Sequence, residues 1–267
     1  MEIFSLKHKT AIVTGALGLI GKEHCRALSE AGANVVVADV NEEKCIMFAD
    51  TLPTNSIGIS LDVTSQDSIK KMLKKTLDEF ANIDILVNNA AINDMFEDPK
   101  AAAEQSKFEN YPLELWQKSV DVNLTGVFLC SQIIGTEMAK QKSGSIINIA
   151  STYGISAPDQ SLYIKEDGTQ SFYKPPAYSA TKGAVIMFTK YLAAYWGKDG
   201  VRANTLTPGG VENNQDEFFI NKYSAKTPLG RMAQPDDYKG ALIFLASDSS
   251  KYMTGANLIV DGGWTAW

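Results

Sequence analysis

Residues 10–39 read TAIVTGALGLIGKEHCRALSEAGANVVVAD. Thr10–Thr14 is a short apolar run that Gly15 ends, and residues 18–31 repeat apolar side chains at helical spacing until Gly32 stops them. A second β-branched run, Asn34–Asp39, follows at once. The order is strand, turn, helix, strand. Strands so nearly free of polar residues need cover on both faces, and strands that alternate with helices pair in parallel through right-handed crossovers.

The alternation continues to the end of the chain. Further strands are predicted at residues 57–61, 83–87, 145–149, 202–205 and Asn257–Val260, and further helices at 42–52, 65–80, 113–139, 178–196 and 235–245. Seven strands separated by helices give one α/β domain over residues 1–267, doubly wound, with a seven-stranded parallel sheet and helices on both faces. The length of 267 residues suits one such domain, and 45% hydrophobic with 21% charged residues is ordinary globular composition. Residues 93–112, 156–177 and 212–227 lack a clean period, and as long loops after strands they are expected to flank a ligand crevice at the carboxyl edge of the sheet.

Composition removes several functions. A net charge of −6 disfavours general nucleic-acid binding, which needs clustered cations. No apolar run is long enough to span a bilayer and residues 1–10 lack a signal-peptide pattern, so a cytoplasmic location is expected. Two histidines and three separated cysteines, Cys25, Cys45 and Cys130, offer no ligand cluster; no metal is expected and the thiols are read as reduced and inert.

Gly15, Gly18 and Gly21 punctuate the first strand-to-helix turn. Glycine lets backbone approach a pyrophosphate closely, and the free amides and dipole of the helix favour its charge. Asp39 stands at the end of the second strand, where a carboxylate accepts from the ribose hydroxyls of NAD and repels the 2′-phosphate of NADP. Val40 and Asn41 follow it, so no phosphate clamp is at hand. NAD is therefore the expected cofactor.

With Asp62-Val63, Asn88-Asn89-Ala90, Asn123, Ser151, Tyr178 with Lys182, Pro208-Gly209 and Val260-Asp261-Gly262-Gly263 in order behind the glycine turn, nearly the whole chain resembles the short-chain dehydrogenase/reductase family, classical type. The resemblance implies a Rossmann-type domain. It also implies that Leu19 and Ile20 join the phosphate turn, that Asp62-Val63 borders the adenine, that Asn88 to Ala90 line the cofactor groove, and that Pro208, Gly209 and Val211 pass the nicotinamide. By the same resemblance Ser151 holds the reacting oxygen, Asn123 holds a water for proton relay to Lys182, and the protein is a homotetramer.

The chemistry also follows from the residues themselves. Alcohol oxidation needs a base for the hydroxyl proton as hydride leaves, and reduction needs the same group as an acid. Tyr178 is the candidate; a phenol titrates near pH 10 unless a cation is close, and Lys182 at i+4 shares its helix face.

The chain departs from the family pattern in several places. The turn spacing is G-x-x-G-x-x-G, Ala91 stands where glycine is usual, and Asn213 stands where a threonine usually meets the carboxamide. Residues 93–112 and 156–177 are longer than usual; the second carries Asp159, Gln160, Tyr163, Lys165, Glu166, Asp167, Gln170, Tyr173 and Lys174 and is expected to form a polar substrate wall. Mixed aromatic and hydrogen-bonding side chains suit a sugar, sugar acid or sugar derivative as the small-molecule substrate. The alternatives are a lipid or acyl-thioester reductase and a non-catalytic NAD-binding sensor. Residues 212–227 resemble the family's mobile substrate lid.

Overall fold

A computed structural model describes residues 2–93 and 102–267. The elements run β1 Thr10–Thr14, α1 Leu19–Glu30, β2 Asn34–Asp39, α2 Glu42–Ala49, β3 Ile57–Ser60, α3 Gln66–Phe80, β4 Ile85–Asn88, α4 Ala102–Gln105, α5 Leu113–Val120, α6 Gly126–Gln141, β5 Gly144–Ile149, α7 Pro176–Trp196, β6 Val201–Pro208, α8 Glu217–Lys226, α9 Lys239–Ala246 and β7 Asn257–Val260. The seven strands form one sheet in the order β3-β2-β1-β4-β5-β6-β7, every pair parallel. The order reverses between β1 and β4, and such a reversal opens a crevice at the strands' carboxyl ends.

Adjacent residues of β1, β2, β4 and β5 feed opposite cores, as the pleat requires. Val13, Val35, Val37 and Val87 pack with Leu28 of α1 and Leu242 and Leu245 of α9 on one face. Ile12, Val36, Leu86 and Ile146 pack with Ile69 and Met72 of α3 and Ile134 and Met138 of α6 on the other. Helices therefore cover both faces, as predicted. Cys25, Cys45 and Cys130 are buried and free, and burial pushes the Cys45 thiol up to about 11 and that of Cys130 to about 12.

Several segments differ from the sequence prediction, α4 within the 93–112 loop among them. The helix expected over 113–139 is interrupted by a π-turn at Asp121–Thr125, where the Gly126 amide donates five residues back to Asp121; such turns are concentrated at functional sites. Residues 235–245 begin as a 3₁₀ turn, Pro235–Tyr238, before α9. Residues 212–227 contain the helix α8. The 156–177 stretch has a 3₁₀ turn at Gln160–Tyr163 and a bridge between Ile164 and Gln170. Of the 93–112 loop, residues 94–101 lie outside the described residues. No helix among the described residues is long and apolar enough to cross a membrane.

His24 on α1 is fully buried, and neither ring nitrogen has a hydrogen-bond partner among the described residues. Burial pushes its imidazole down to about 4. The unfolded chain, titrating near 6.5, binds the proton that the folded chain refuses, so stability is lost as pH falls from 6.5 toward 4. A single such group removes about 2 kcal/mol between pH 7 and pH 5. Urea midpoints at the two pH values are expected to fall by less in His24→Met than in the parent; equal falls contradict this account of His24.

Candidate active site

A crevice of about 680 Å³ runs along the carboxyl ends of the central strands, within the ~300–1,000 Å³ range of ligand clefts. It gathers the sequence-predicted cofactor residues Gly15, Gly18, Leu19, Ile20, Gly21, Asp39, Asp62, Val63, Asn89, Ala90, Pro208, Gly209 and Val211 with Ser151, Tyr178 and Lys182. Two predicted residues are placed elsewhere. Asn88 lies inside the sheet, its amide donating to Asn148 and Ser131, because successive strand residues face opposite sides and its neighbour Asn89 takes the crevice. Asn123 is buried in the π-turn and does not line the crevice; its carboxamide accepts from the Ile92 amide at 2.8 Å and donates to the Ile92 carbonyl at 2.9 Å.

The glycine turn is held from below by β4. The Thr14 hydroxyl oxygen accepts the amides of Asn89 and Ala90, and the Asn89 side chain donates to the carbonyls of Thr14 and Gly15. Gly15 has φ +62°, and a Cβ there would meet the Ala90 backbone at 2.6 Å. A Cβ on Gly21 would lie 2.3 Å from the Gly15 carbonyl oxygen, so α1 can rest on the turn only without one. Gly18 begins α1 with extended backbone and no side-chain cap. The first amides of a helix have no helical acceptor, and here they belong to residues that line the crevice. This arrangement fits an anion such as a pyrophosphate. Asp39 is fixed by two amides, Leu17 on one oxygen at 3.0 Å and Val40 on the other at 2.8 Å, and each oxygen keeps a lone pair for a ribose hydroxyl. Asp62 uses one oxygen on the amide and hydroxyl of Thr64.

At the other end Ser151 follows two residues after β5, its hydroxyl accepting the Tyr153 amide, while α7 supplies Tyr178 and Lys182. The Lys182 ammonium donates to the Ile149 carbonyl at 2.7 Å and stands 5.8 Å from the Tyr178 ring centre. Desolvation pulls Lys182 down to about 8. Burial pushes the Tyr178 phenol above its usual range and the neighbouring Ser151 hydroxyl pulls the other way. The expectation that Lys182 depresses the phenol is thus not met in this geometry, because desolvation is the larger effect and the ammonium is turned to a carbonyl.

The substrate wall is more aromatic than predicted. Of the polar residues expected from 156–177, Tyr163 and Lys174 line the crevice; Lys165, Glu166 and Asp167 are exposed, and Asp159 pairs with Lys226 of α8. Gln170 and Gln160 brace the insertion internally. Sequence reasoning missed Tyr153 and Met232 and covered Asn93, Gln215 and Tyr223 only as parts of the flanking loops; all five line the crevice. Tyr223 stacks on Trp264 at 4.1 Å, its hydroxyl accepting the Gly210 amide, and Phe219, noted only with the lid, packs on Tyr163 at 5.3 Å. Position was the available signal for Tyr153, two residues beyond the strand-end serine.

A family model described as Enoyl-(Acyl carrier protein) reductase matches residues 15–265. The chain is 32% identical over 267 residues to an NAD-dependent glycerol dehydrogenase of Listeria innocua serovar 6a, covering 98% of this chain and 96% of that one. It is 35% identical over 266 residues to a 3-oxoacyl-[acyl-carrier-protein] reductase of Synechocystis, with 97% and 98% covered. A solved gluconate 5-dehydrogenase from Burkholderia cenocepacia J2315, in complex with NADP and tartrate, superposes with a TM-score of 0.84 at 33% identity over 99% of this chain and 98% of that one.

The contact distances separate two glycines of the turn. Gly21→Ala must push α1 off Gly15 and is expected to cost ~1–3 kcal/mol, whereas the added carbon in Gly18→Ala comes no nearer than 3.2 Å and costs less. Denaturant midpoints of the two variants measure the difference; equal losses contradict it.

Proposed function

This chain belongs to the short-chain dehydrogenase/reductase family, and from that premise we propose that it moves a hydride between NAD and a secondary alcohol or ketone of a sugar, sugar acid or sugar derivative. The observation that carries this is the grouping of Ser151, Tyr178 and Lys182 at one end of the crevice whose other end holds the uncapped α1 amides and Asp39. A nicotinamide dinucleotide, when bound, supplies the hydride acceptor or donor. Tyr178 takes the hydroxyl proton in oxidation and returns it in reduction. Ser151 donates a hydrogen bond to the reacting oxygen as charge develops there. Lys182, buried and within reach of the phenol's ring, stabilises the phenolate once its ammonium leaves Ile149, and passes the proton on. Asn123 serves that relay from the π-turn, where its side chain fixes the segment after β4.

Asp39 supports NAD over NADP, since a fixed carboxylate repels a 2′-phosphate. The likeness to the NAD-dependent glycerol dehydrogenase agrees with this, and the solved relative's NADP complex stands against it. The phenols of Tyr153 and Tyr163, held protonated by burial, suit a hydroxylated substrate. Residues 1–267 act as one domain, with the loops 93–112, 156–177 and 212–227 enclosing the substrate. Exposed Met187, Tyr191 and Tyr195 on α7 support pairing of this helix across subunits in a homotetramer. A cytoplasmic location completes the reading. The Synechocystis relative favours a second one, reduction of an acyl thioester, whose mark is NADPH preference with activity on acyl thioesters.

Tyr178→Phe is expected to lower turnover by at least ~100-fold while leaving NAD affinity within a few-fold, read by steady-state kinetics and calorimetry. Unchanged turnover removes Tyr178 from the chemistry. Asp39→Ala is expected to shift the kcat/KM ratio of NAD to NADP toward NADP by at least about tenfold, one lost charge interaction of roughly 1.4 kcal/mol. An unaltered ratio removes Asp39 from cofactor choice.

A further inference from the structure

Two phenols meet inside the crevice, and neither has a part in the proton chemistry. The hydroxyls of Tyr153 and Tyr163 lie 3.3 Å apart, and both residues line the crevice with Ser151 and Tyr178. Among the described residues no other hydrogen bond reaches either hydroxyl. Two phenols carry two O–H groups, and one mutual bond uses a single hydrogen and a single lone pair. Tyr153 therefore keeps its hydrogen if Tyr163 donates, and its lone pairs if Tyr163 accepts.

The two rings are held differently. Tyr163 comes from the 156–177 insertion and is only 5% exposed, packed at 4.4 Å on Phe172 and at 5.3 Å on Phe219 of α8. Its carbonyl accepts both the amide and the hydroxyl of Ser171, at 2.9 and 2.7 Å. Helix α8 fixes the same turn from outside, since Lys222 donates to the carbonyls of Ser161 and Ile164 and Lys226 pairs with Asp159. Tyr153 is half-buried and belongs to the reactive end. Its amide donates to the Ser151 hydroxyl at 3.2 Å, and the Lys174 ammonium that lies 5.9 Å from its ring centre lies 4.8 Å from that of Tyr178. The rings of Tyr153 and Tyr178 are thus neighbours. Burial keeps Tyr153 and Tyr163 protonated, so the pair offers hydrogen bonds without charge.

We propose that Tyr153 is a specificity residue that hydrogen-bonds a second oxygen of the substrate, a hydroxyl on the same carbon chain as the carbinol that meets Ser151 and Tyr178, and that Tyr163 is the positioning residue that aims it. This rests on the oxidoreductase reading above and narrows it to polyhydroxylated substrates. A secondary alcohol with one hydroxyl leaves the paired phenols against apolar carbon, and a buried polar group deprived of its partner is what makes such a site discriminate. The reacting groups stand after β5 and on α7, whereas the selecting phenol is aimed from the insertion.

The test is calorimetric binding of glycerol, D-sorbitol, D-gluconate and cyclohexanol to the enzyme saturated with NAD, in the parent, Tyr153→Phe, Tyr163→Phe and the double variant. Each substitution keeps the ring and removes one hydroxyl. At least one of the three polyhydroxylated ligands is expected to bind the parent about tenfold or more tighter than cyclohexanol. That ligand is expected to weaken about three- to tenfold in Tyr153→Phe and by less in Tyr163→Phe, with cyclohexanol losing less than it does in both. The double variant is expected to bind it no worse than Tyr153→Phe, because Tyr163 acts through Tyr153. The proposal is overturned if no polyhydroxylated ligand outbinds cyclohexanol, if Tyr153→Phe keeps the preference, or if that variant weakens all four ligands equally, the pattern of a residue that only shapes the wall. A further loss in the double variant gives Tyr163 a contact of its own and overturns the division of roles. Polyol binding that depends on Tyr153 without turnover of any polyol or sugar acid leaves this inference standing and sinks the oxidoreductase assignment for such substrates.

Discussion

Lys182 reaches from the middle of α7 to the carbonyl of Ile149 at the end of β5, and the reactive end of the crevice is assembled around that bond. The bond ties the helix to the end of the strand in the free crevice. Two residues after Ile149 comes Ser151, and one helical turn before Lys182 comes Tyr178, so one ammonium–carbonyl contact brings hydroxyl and phenol to the same place. The close approach it demands is visible at Gly154, where a Cβ would meet the Lys182 backbone at 2.7 Å. The loop after Ser151 can lie against α7 only because this residue is glycine.

The same burial that fixes these groups opposes their charges. Desolvation lowers the lysine and raises the phenol, so the free crevice holds its proton tightly, and the charge balance that releases it must come from groups that enter or turn toward the phenol. Lys182 is available for that once it exchanges Ile149 for a new acceptor. At the far end Asp39 is partly open and aligned by two amides.

Much of this was legible in the sequence. Strands β1, β2, β4 and β5 are apolar on both faces and bounded by glycine or polar turns, which leaves little choice of structure or of sheet type. The π-turn was not legible, because residues 113–141 keep helical periodicity through Asn123 and the interruption is set by the bonds its carboxamide makes to Ile92. Helix α8 carries no clear apolar stripe; it is anchored by the stacking of Tyr223 on Trp264 and by the Asp159–Lys226 pair, both distant in sequence. The composition of the 156–177 wall was legible only in part, for a similar reason. Alternating polar and aromatic residues in an aperiodic insertion do not reveal which side faces the ligand, and here the aromatic rings turned inward onto α8. Asn88 was open to correction from sequence alone, since it alternates with Asn89 at the end of a buried strand.

The central claim is spatial: a phenol beside Ser151 and Lys182 faces the reactive carbon of a dinucleotide whose phosphates rest on the amides of α1. A crystal structure of the NAD complex measures it directly. The account predicts the pyrophosphate at Gly18 to Gly21, the adenosine ribose on Asp39, and nicotinamide C4 within roughly 4–5 Å of the Tyr178 hydroxyl oxygen, close enough for one substrate carbinol to touch both. A dinucleotide bound with its nicotinamide away from Tyr178, or with its phosphates off the α1 terminus, contradicts it.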